Sequence, residues 1–294
     1  MKPLIDLDVL FYEIGFCAEY KDEEGEPQIR DFAFIQELFD AKIEQICHAV
    51  GATEPPRLFH TGKGNFREAI AKKKGYKENR KDKAKPFHFD NIKAYALAKY
   101  DCVEAVGMEA DDLLCIEQMR KMTYSSVGDE EDTYVIDKRF LETVICSRDK
   151  DLKMCPGYHY TWECGRQAEW GPTYVDYFGW LEPKWVDEED VGGKLKKLGG
   201  TGIMWFYSQL LMGDSVDNIP GLPRCGPKKV WTLLHDLATE DELWEAAKDA
   251  YTDVYGDTWE AELMEQAQLV WMCQEMNEDG SPVMWRMPDD GARI

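Results

Sequence analysis

The chain has 294 residues, of which 44% are hydrophobic and 12% aromatic, so it can bury a substantial core and is not intrinsically disordered. This length accommodates one large domain or two smaller ones. The formal net charge of −22 at pH 7 argues at first sight against a nucleic-acid partner, because a phosphate backbone is itself an anion.

The net charge conceals one basic segment. Between Arg57 and Lys85 there are eleven Lys and Arg residues against three acidic ones, which gives this segment +8 and leaves −30 for the rest of the chain. Such a stripe is most often a solvated face. Its aromatic residues favour contact with a nucleic-acid strand, since bases stack on such rings; they are Phe66, Tyr76, Phe87 and Phe89.

The cysteine pattern and the N-terminus bear on location. Nine cysteines occur without a CxxC pair, and reduced thiols in a cytosol explain them most simply. The first residues lack a basic region followed by an apolar signal core, and no window is long and apolar enough to span a membrane. The sequence therefore predicts a cytoplasmic protein with no membrane partner.

Strand and helix patterns alternate along the first half of the chain. The predicted elements are, in order, a strand at Leu4–Val9, a helix beginning within Leu10–Ala18, a helix at Asp31–Val50, a strand at Arg57–Phe59, a strand at Val103–Val106, a helix at Glu109–Lys121 and a strand at Thr143–Cys146. This alternation favours an α/β domain with a largely parallel sheet, in which ligands bind beyond the carboxyl ends of the strands.

The pattern changes after this region. From Gly157 to Thr201 it loosens and predicts surface excursions. Beyond Met204 the chain is predicted to be mostly helical, with helices near Val230–Ala238, Glu242–Ala250 and Trp259–Met276.

Four acidic clusters adjoin different predicted elements. They are Asp6 with Asp8, Glu109 with Asp111 and Asp112, Asp149 with Asp151, and Asp214 with Asp217. Packing these elements together would crowd nine carboxylates, and only bound cations or raised pKa values would relieve their repulsion. Mg²⁺ and Mn²⁺ prefer such oxygen ligands, and two ions about 4 Å apart form the clamp of phosphodiester hydrolysis.

Two of these clusters have simpler explanations. Glu109 and Asp112 could merely cap a helix, although three carboxylates in one turn exceed what a cap requires. Asp149 and Asp151 could open a calcium loop, but the sixth position is Met154 rather than Gly and the twelfth is Tyr160 rather than Glu. The calcium-loop alternative is rejected.

The segment from Gly213 to Lys229 is rich in Pro and Gly and lies between apolar helices. It predicts a tight hairpin with Pro227 in a first helical turn, where backbone N–H groups, Lys228 and Lys229 could hold a DNA phosphate. The alternative is a plain connection between helices.

Taken in order, four segments resemble the flap endonuclease superfamily, and most closely the small 5′-to-3′ exonucleases of tailed bacteriophages. They are FREAIAKKKGYKENR (Phe66 to Arg80), GMEADD (Gly107 to Asp112), SRDKDL (Ser147 to Leu152) and GDSVDNIPGLPRCGPKK (Gly213 to Lys229). The resemblance covers roughly Leu4 to Leu234 and weakens through Gly157 to Thr201.

The resemblance implies a Rossmann-like (PIN/FEN-like) α/β fold with a central, mostly parallel sheet and a helical arch. A catalytic domain would span residues 1–203, with the arch at about 60–100 and a variable excursion at 157–201. A helical domain at 204–294 would contain a helix–hairpin–helix (helix-three-turn-helix) element that grips duplex DNA.

The resemblance also assigns roles to residues. Two divalent ions, Mg²⁺ or Mn²⁺, would be held by Asp6, Glu109, Asp111, Asp112, Asp149, Asp151, Asp214 and Asp217. The scissile phosphate would be steadied by Lys77 and Arg80, with Arg67 nearby. DNA would contact Tyr76, Gly226, Lys228 and Lys229, and a K⁺ ion would bind at the hairpin near Gly221 to Gly226.

The chain departs from the family pattern at two places. Many relatives have an Asp a few residues before the Phe-Arg pair, whereas this chain has His60 and Thr61 there, so one carboxylate is missing and Asp8 is a candidate to compensate. The second departure is Arg224, where relatives usually have Gly, and it alters the hairpin that would bind K⁺.

These observations predict a divalent-metal-dependent 5′-to-3′ DNA exonuclease that hydrolyses phosphodiester bonds from 5′ ends of duplex DNA by a two-metal mechanism. The enzyme is expected to be a monomer and to act in phage DNA replication or recombination. The alternatives are a structure-specific flap endonuclease, an RNase H-like enzyme that removes RNA primers, a non-catalytic DNA-binding protein of the same fold, and a Mg²⁺ enzyme that acts on small molecules. The last needs neither the basic stripe nor the hairpin.

Overall fold

The computed structural model describes residues 1–80, 83–122, 124–126, 134–136, 141–186 and 194–288, with the backbone alone for 124–126 and 134–136. Its helices are α1 Leu7–Phe16, α2 Phe32–Ala49, α3 Phe66–Ile70, α4 Phe89–Lys99, α5 Ala110–Arg120, α6 Gly202–Met212, α7 Pro227–Leu234, α8 Glu240–Tyr255 and α9 Trp259–Val270. Its strands are β1 Lys2–Asp6, β2 Glu19–Lys21, β3 Pro27–Ile29, β4 Arg57–Thr61, β5 Asp101–Ala105, β6 Tyr124–Ser126, β7 Tyr134–Ile136, β8 Thr143–Cys146, β9 Gly157–Thr161, β10 Trp170–Val175, β11 Leu181–Trp185 and β12 Leu195–Gly200.

A six-stranded sheet in the order β10-β9-β8-β1-β4-β5 organises the first part of the fold. The strands β9, β8, β1, β4 and β5 are parallel, and Ile5 of β1 pairs with Leu58 of β4 on one side and Cys146 of β8 on the other. The central strands β1, β4 and β8 are largely buried, as expected where a parallel sheet is covered on both faces.

The described chain divides into two compact units, each built from several segments. Unit 1 comprises Met1–Gly64, Lys83–Asp149 and Gly157–Tyr174, and unit 2 comprises Asn65–Asp82, Lys150–Pro156 and Val175–Ile294. The units interleave along the chain, whereas the predicted domains 1–203 and 204–294 are each continuous. Residues 81–82 of the predicted arch lie outside the described residues.

The main core of unit 1 lies between the sheet and helices α1, α2 and α4. It includes Ile5, Phe11 and Phe39, and the fully buried Trp162 closes it beside Tyr160. Helix α5 packs on β1, β4 and β8. Because the strand order reverses at β1, the carboxyl end of β1 is a topological switch point, where ligands bind in open α/β sheets.

Unit 2 is built around α6, whose residues from Gly202 to Leu211 are all buried. Helices α7, α8 and α9 contact α6, and α3 packs on α9. Strands β11 and β12 form an antiparallel hairpin that packs on α7 and α6. A capping box at Thr239 and Glu242 begins α8.

The predicted α/β class with a mostly parallel sheet is confirmed, the predicted helix Trp259–Met276 ends earlier, at Val270, and one further expectation is wrong. The region from Gly157 to Thr201, predicted as surface excursions, contains β9 and β10 of the central sheet as well as the β11–β12 hairpin. Its aromatic residues suit a pleated surface, but glycines within the strands, such as Gly157 of β9 and Gly171 of β10, interrupt the pattern. Within the described residues, no helix is long and apolar enough to cross a membrane.

Candidate functional site

In unit 1, the predicted carboxylates collect at the carboxyl ends of the parallel strands. Asp6 is the last residue of β1 and also the N-cap of α1, so its Oδ1 accepts the backbone N–H groups of Asp8 at 3.0 Å and Val9 at 3.4 Å. Its Oδ2 accepts the Ser147 hydroxyl at 2.7 Å. Only 2% of Asp6 is exposed.

Ser147 connects the end of β8 to the end of β1. Its Oγ donates to Asp6 and accepts the backbone N–H of Asp149 at 2.9 Å. The turn after β8 is therefore held by Asp6, and the half-buried Asp149 carboxylate is near enough to raise the pKa of Asp6.

Asp8 is bound to the end of β4. Its Oδ2 accepts the backbone N–H of Thr61 at 3.0 Å, and the Thr61 hydroxyl also donates to it. The same hydroxyl oxygen accepts the N–H of Ala110, the first residue of α5, at 3.0 Å. Asp8 thus lies beside His60 and Thr61, where the family pattern would place another carboxylate.

The acidic start of α5 does cap that helix. Glu109 is the N-cap, and its backbone N–H donates to Asp112 Oδ2 at 3.1 Å, in a reciprocal capping box. Glu109 and Asp112 are buried, whereas Asp111 in the same turn is half-buried and is not a member of the capping box. Capping therefore explains two of the three carboxylates in this cluster.

The burial of like charges changes the acidity of the unit 1 carboxylates. Burial, reinforced by repulsion from Asp8, raises the pKa of Asp6 from 3.8 to about 7, although the Ser147 hydrogen bond opposes this. Burial also raises the pKa of Asp8, against the hydrogen bonds from Thr61. Buried carboxylates with raised pKa values are stabilised by a bound proton or a bound cation.

In unit 2, Lys150 lies between two of the predicted metal ligands. Its ammonium group donates to Asp151 Oδ1 at 2.7 Å and to Asp214 Oδ2 at 2.5 Å. Burial alone would lower the pKa of Lys150, but the two carboxylates outweigh it and raise that pKa above its ordinary value. Burial likewise opposes ionisation of Asp214, yet Lys150 lowers its pKa overall.

Gln209 of α6 contacts one of the same carboxylates. Its Nε2 donates to Asp151 Oδ1 at 2.5 Å, and only 2% of its surface is exposed. Its Oε1 has no hydrogen-bond partner among the described residues. A buried amide oxygen without a partner is a suitable ligand for a hard cation.

Asp217 is surrounded by side chains from the segment that begins at Asn65. Arg80 donates to its Oδ1 at 2.5 Å, Lys77 lies 3.7 Å from its Oδ2, and the Tyr76 hydroxyl donates to Oδ2 at 3.2 Å. The structure therefore brings together three predicted substrate-contacting residues around one predicted metal ligand. The burial of Tyr76 argues for a role in holding Asp217 rather than in stacking on a base.

Arg67, predicted to lie near the scissile phosphate, is fully buried in unit 2. Its Nε donates to the Leu269 carbonyl at 3.0 Å and its Nη2 to the Trp271 carbonyl at 2.6 Å. These carbonyls lie at the end of α9, where helical hydrogen bonding stops, and Arg67 satisfies them. This placement favours a structural role, because the guanidinium group is committed to the protein backbone.

The connection between α6 and α7 is a compact loop. Gly213 and Gly221 both have positive φ angles and approach so closely that a Cβ on Gly221 would clash with the Gly213 nitrogen. Arg224 has φ +58°, a left-handed conformation that favours glycine, the residue usual there in the family. Gly226 is the N-cap of α7, and Lys228 and Lys229 are exposed in its first turn. The helix–hairpin–helix and K⁺ assignments stay predictions.

The eight predicted metal ligands thus divide between the units, with Asp6, Glu109, Asp111, Asp112 and Asp149 in unit 1 and Asp151, Asp214 and Asp217 in unit 2. Among the residues that the structure describes, no three His, Cys, Asp or Glu side chains are close enough to hold a metal ion. The donor chemistry nevertheless fits Mg²⁺ or Mn²⁺, because Asp151 and Asp214 already share one cation, the Lys150 ammonium group, and Gln209 offers an unpartnered oxygen beside them.

Four residues at these sites were not predicted to act there. Thr61 and Ser147 hold Asp8 and Asp6, and Lys150 and Gln209 contact Asp151. Ser147 and Lys150 lie inside the SRDKDL segment, and Gln209 is the one side-chain amide in a mostly apolar helix. That isolated amide is the signal by which it could have been found.

The chain resembles known proteins more clearly in structure than in sequence. No protein-family model matches it. DNA polymerase I of Rhizobium leguminosarum is 27% identical over 151 residues, which cover 50% of this chain and 11% of the polymerase. The chain therefore corresponds to a small part of that relative.

Two solved structures are similar over most of the chain. The 5′-exonuclease of T5, solved with divalent zinc ions bound, has a TM-score of 0.50 and 12% identity, covering 92% of this chain and 99% of the exonuclease. The catalytic core of Rad2 in complex with a DNA substrate has a TM-score of 0.44 and 12% identity, covering 98% of this chain and 84% of the Rad2 chain. The likeness to the T5 enzyme confirms, at the level of the fold, the resemblance found in the sequence.

Proposed function

We propose that this chain, which has the fold of the T5 5′-exonuclease, is a divalent-metal-dependent nuclease that removes nucleotides from 5′ ends of duplex DNA. The observation that carries the proposal is the position of Asp6, Asp8 and Asp149. Asp6 ends β1, Asp149 follows β8, and Asp8 is hydrogen-bonded to the end of β4. These three neighbouring strands end at the topological switch point of the sheet.

The proposal assigns the divalent ions to the carboxylates already described. Asp6, Glu109, Asp111, Asp112 and Asp149 would hold metal in unit 1, and Asp151, Asp214 and Asp217 would hold metal in unit 2. When bound, Mg²⁺ or Mn²⁺ would supply Lewis-acid activation of water and neutralise charge on the leaving oxygen. The raised pKa of Asp6 supports this assignment, since a cation would relieve the same repulsion.

Lys77 and Arg80 are proposed to stabilise charge that develops on the scissile phosphate. In the structure both are paired with Asp217. If Asp217 turns to a divalent ion, these two side chains lose this carboxylate partner, and an anionic phosphate oxygen could replace it. Metal binding and phosphate binding would therefore be linked through Asp217.

A structure-specific flap endonuclease is the second candidate within this class, because the sequence motifs are those of the flap endonuclease superfamily as a whole. An RNase H-like remover of RNA primers would use the same carboxylates. A role in phage DNA replication or recombination follows from the resemblance to phage exonucleases and forms part of the proposal.

The proposal is tested with a linear duplex labelled at its 5′ or its 3′ end, a 5′-flapped duplex and an RNA–DNA hybrid, each with Mg²⁺ or with EDTA. The site variant is Asp149→Asn. The matched control is Asp257→Asn, which removes the same charge at an exposed position outside the proposed site.

Early release of short products from the 5′ label, absent in EDTA and with Asp149→Asn but kept with Asp257→Asn, is the expected result. Products as long as the flap would instead identify a flap endonuclease, and cleavage of the hybrid alone would identify an RNA primer remover. Tight binding without hydrolysis of any substrate would overturn the enzymatic proposal in favour of a DNA-binding protein.

A further inference from the structure

The described strands of the β11–β12 hairpin in unit 2 carry more lysine than acidic residues, although the run Asp187–Asp190 that joins them in sequence is acidic. Lys184, Lys196 and Lys197 are exposed on its strands, and Lys194 is exposed just before β12. Glu182 is the one acidic residue within the two described strands. The hairpin strands therefore carry a local positive charge on a chain whose net charge is −22.

Two of these lysines face each other across the hairpin. Lys184 pairs directly with Lys197 in the antiparallel register. Like charges directly opposite each other destabilise a sheet, so the arrangement makes the folded protein less stable. Stability alone therefore does not favour this lysine pair, and an anionic partner would offset its repulsion.

Lys153 adds a further positive charge to this neighbourhood. Burial lowers its pKa, and Lys184 and Lys197 lower it further, while Glu182 acts in the opposite direction. The two hairpin lysines are thus close enough to Lys153 for their charges to act on it.

The hairpin is attached to α7, the helix that begins at Pro227. The rings of Trp185 and Trp231 meet edge to face, with centroids 6.5 Å apart, and Trp231 stacks on His235 at 4.6 Å. Lys228 and Lys229 are exposed on the same helix. The hairpin lysines and the α7 lysines therefore belong to elements that pack directly on each other.

We propose that the exposed lysines of the hairpin, Lys184, Lys196 and Lys197, bind phosphates of the duplex part of the nucleic-acid substrate and extend the surface provided by Lys228 and Lys229. This inference rests on the proposed function. The ligand is a phosphate backbone, because lysine ammonium groups contact phosphates as point charges. Such contacts do not depend on the base sequence.

The test compares the variant Lys184→Gln/Lys197→Gln with the matched control Lys21→Gln/Lys248→Gln, which removes two positive charges from β2 and α8. Binding to a fluorescent blunt-ended duplex is measured by anisotropy in EDTA at several salt concentrations. EDTA prevents cleavage during the measurement. The acidic run Asp187–Asp190 that joins the two strands lies outside the described residues and is left unchanged in both variants.

We expect the hairpin variant to bind about tenfold more weakly at about 0.1 M salt, and the salt slope to fall by about 0.9 for each phosphate that the variant no longer binds. The loss of affinity should be equal for duplexes of unrelated sequence, because the lysines would contact phosphates and not bases. The unfolding midpoint should not fall, since the substitution removes the repulsion between Lys184 and Lys197.

Unchanged affinity and salt slope in the hairpin variant, with tight binding by the unmodified protein, would overturn the inference and leave the proposed function standing. Equal weakening in the control variant would also overturn it, because net charge would then explain the effect. Failure of the unmodified protein to bind any duplex would overturn both proposals.

Discussion

The ammonium nitrogen of Lys150 lies 2.5 Å from a carboxylate oxygen of Asp214 and 2.7 Å from one of Asp151. Lys150 therefore neutralises two carboxylates that would otherwise repel each other in a largely buried place. Because a divalent ion would seek the same oxygens, binding of metal there must displace this tethered cation. The contact explains how these carboxylates are tolerated in unit 2 without metal.

We expect Lys150→Gln to destabilise the metal-free protein by about 1–2 kcal/mol, since it leaves Asp151 and Asp214 without their cation; the half-exposed lysine limits the effect. Mn²⁺ should then raise the unfolding midpoint more in the variant than in the unmodified protein. Denaturant unfolding in EDTA and in Mn²⁺ measures both effects. A smaller Mn²⁺ effect in the variant would show that Lys150 does not compete with metal.

The raised pKa of Asp6 predicts a pH-dependent stability. Its pKa is about 7 in the folded protein and 3.8 in the unfolded chain, so between these values the folded state holds a proton that the unfolded state has released. Stability of the metal-free protein should therefore fall as the pH rises through this window. Denaturant midpoints in EDTA, measured across the upper part of this window, should decline less for Asp6→Asn. The Asp257→Asn control should decline like the unmodified protein; equal slopes in all three would refute the assignment.

Arg67 is expected to matter for folding rather than for chemistry. Arg67→Met should lower the free energy of unfolding by about 3 kcal/mol, because two buried carbonyls at the end of α9 lose their donors. Arg67→Lys should be intermediate, since one ammonium group cannot reproduce the planar fork. Urea unfolding measures this, together with the cleavage rate of the folded fraction. A large decrease in rate without a decrease in stability would restore the catalytic prediction.

Arg80 is expected to act in the chemical step. Arg80→Ala should lower the single-turnover cleavage rate by about a hundredfold with little change in duplex affinity, because its contribution is greatest when charge develops on the phosphate. Lys77→Ala should behave similarly. The matched control is Arg166→Ala at an exposed position in unit 1. A proportional decrease in affinity, with the rate unchanged at saturation, would assign Arg80 to ground-state binding instead.

Much of the fold followed from local patterns. The strand at Thr143–Cys146 was predicted with the bounds that the structure has, and the helices near Asp31–Val50 and Glu109–Lys121 differ from α2 and α5 by one residue at each end. Apolar periodicity and capping residues act within a few positions of each other, so they are visible in sequence. β9 and β10 were missed because Gly157, Gly171 and Pro172 are typical of loops, although the aromatic residues of both strands favour a sheet.

The candidate site, like the fold, could be predicted from the sequence only in part. The amino-acid sequence singled out the carboxylates because they cluster beside the ends of predicted elements, although Asp6, Glu109 and Asp112 also cap helices in the structure. The folded chain supplied the partners of four of them: Ser147 for Asp6, Thr61 for Asp8, Lys150 for Asp214 and Arg80 for Asp217. Burial and pairing depend on residues far apart in the chain, which local pattern does not encode. For the same reason Arg67, one basic residue among eleven in its segment, is recognised as structural only by its contacts with the end of α9.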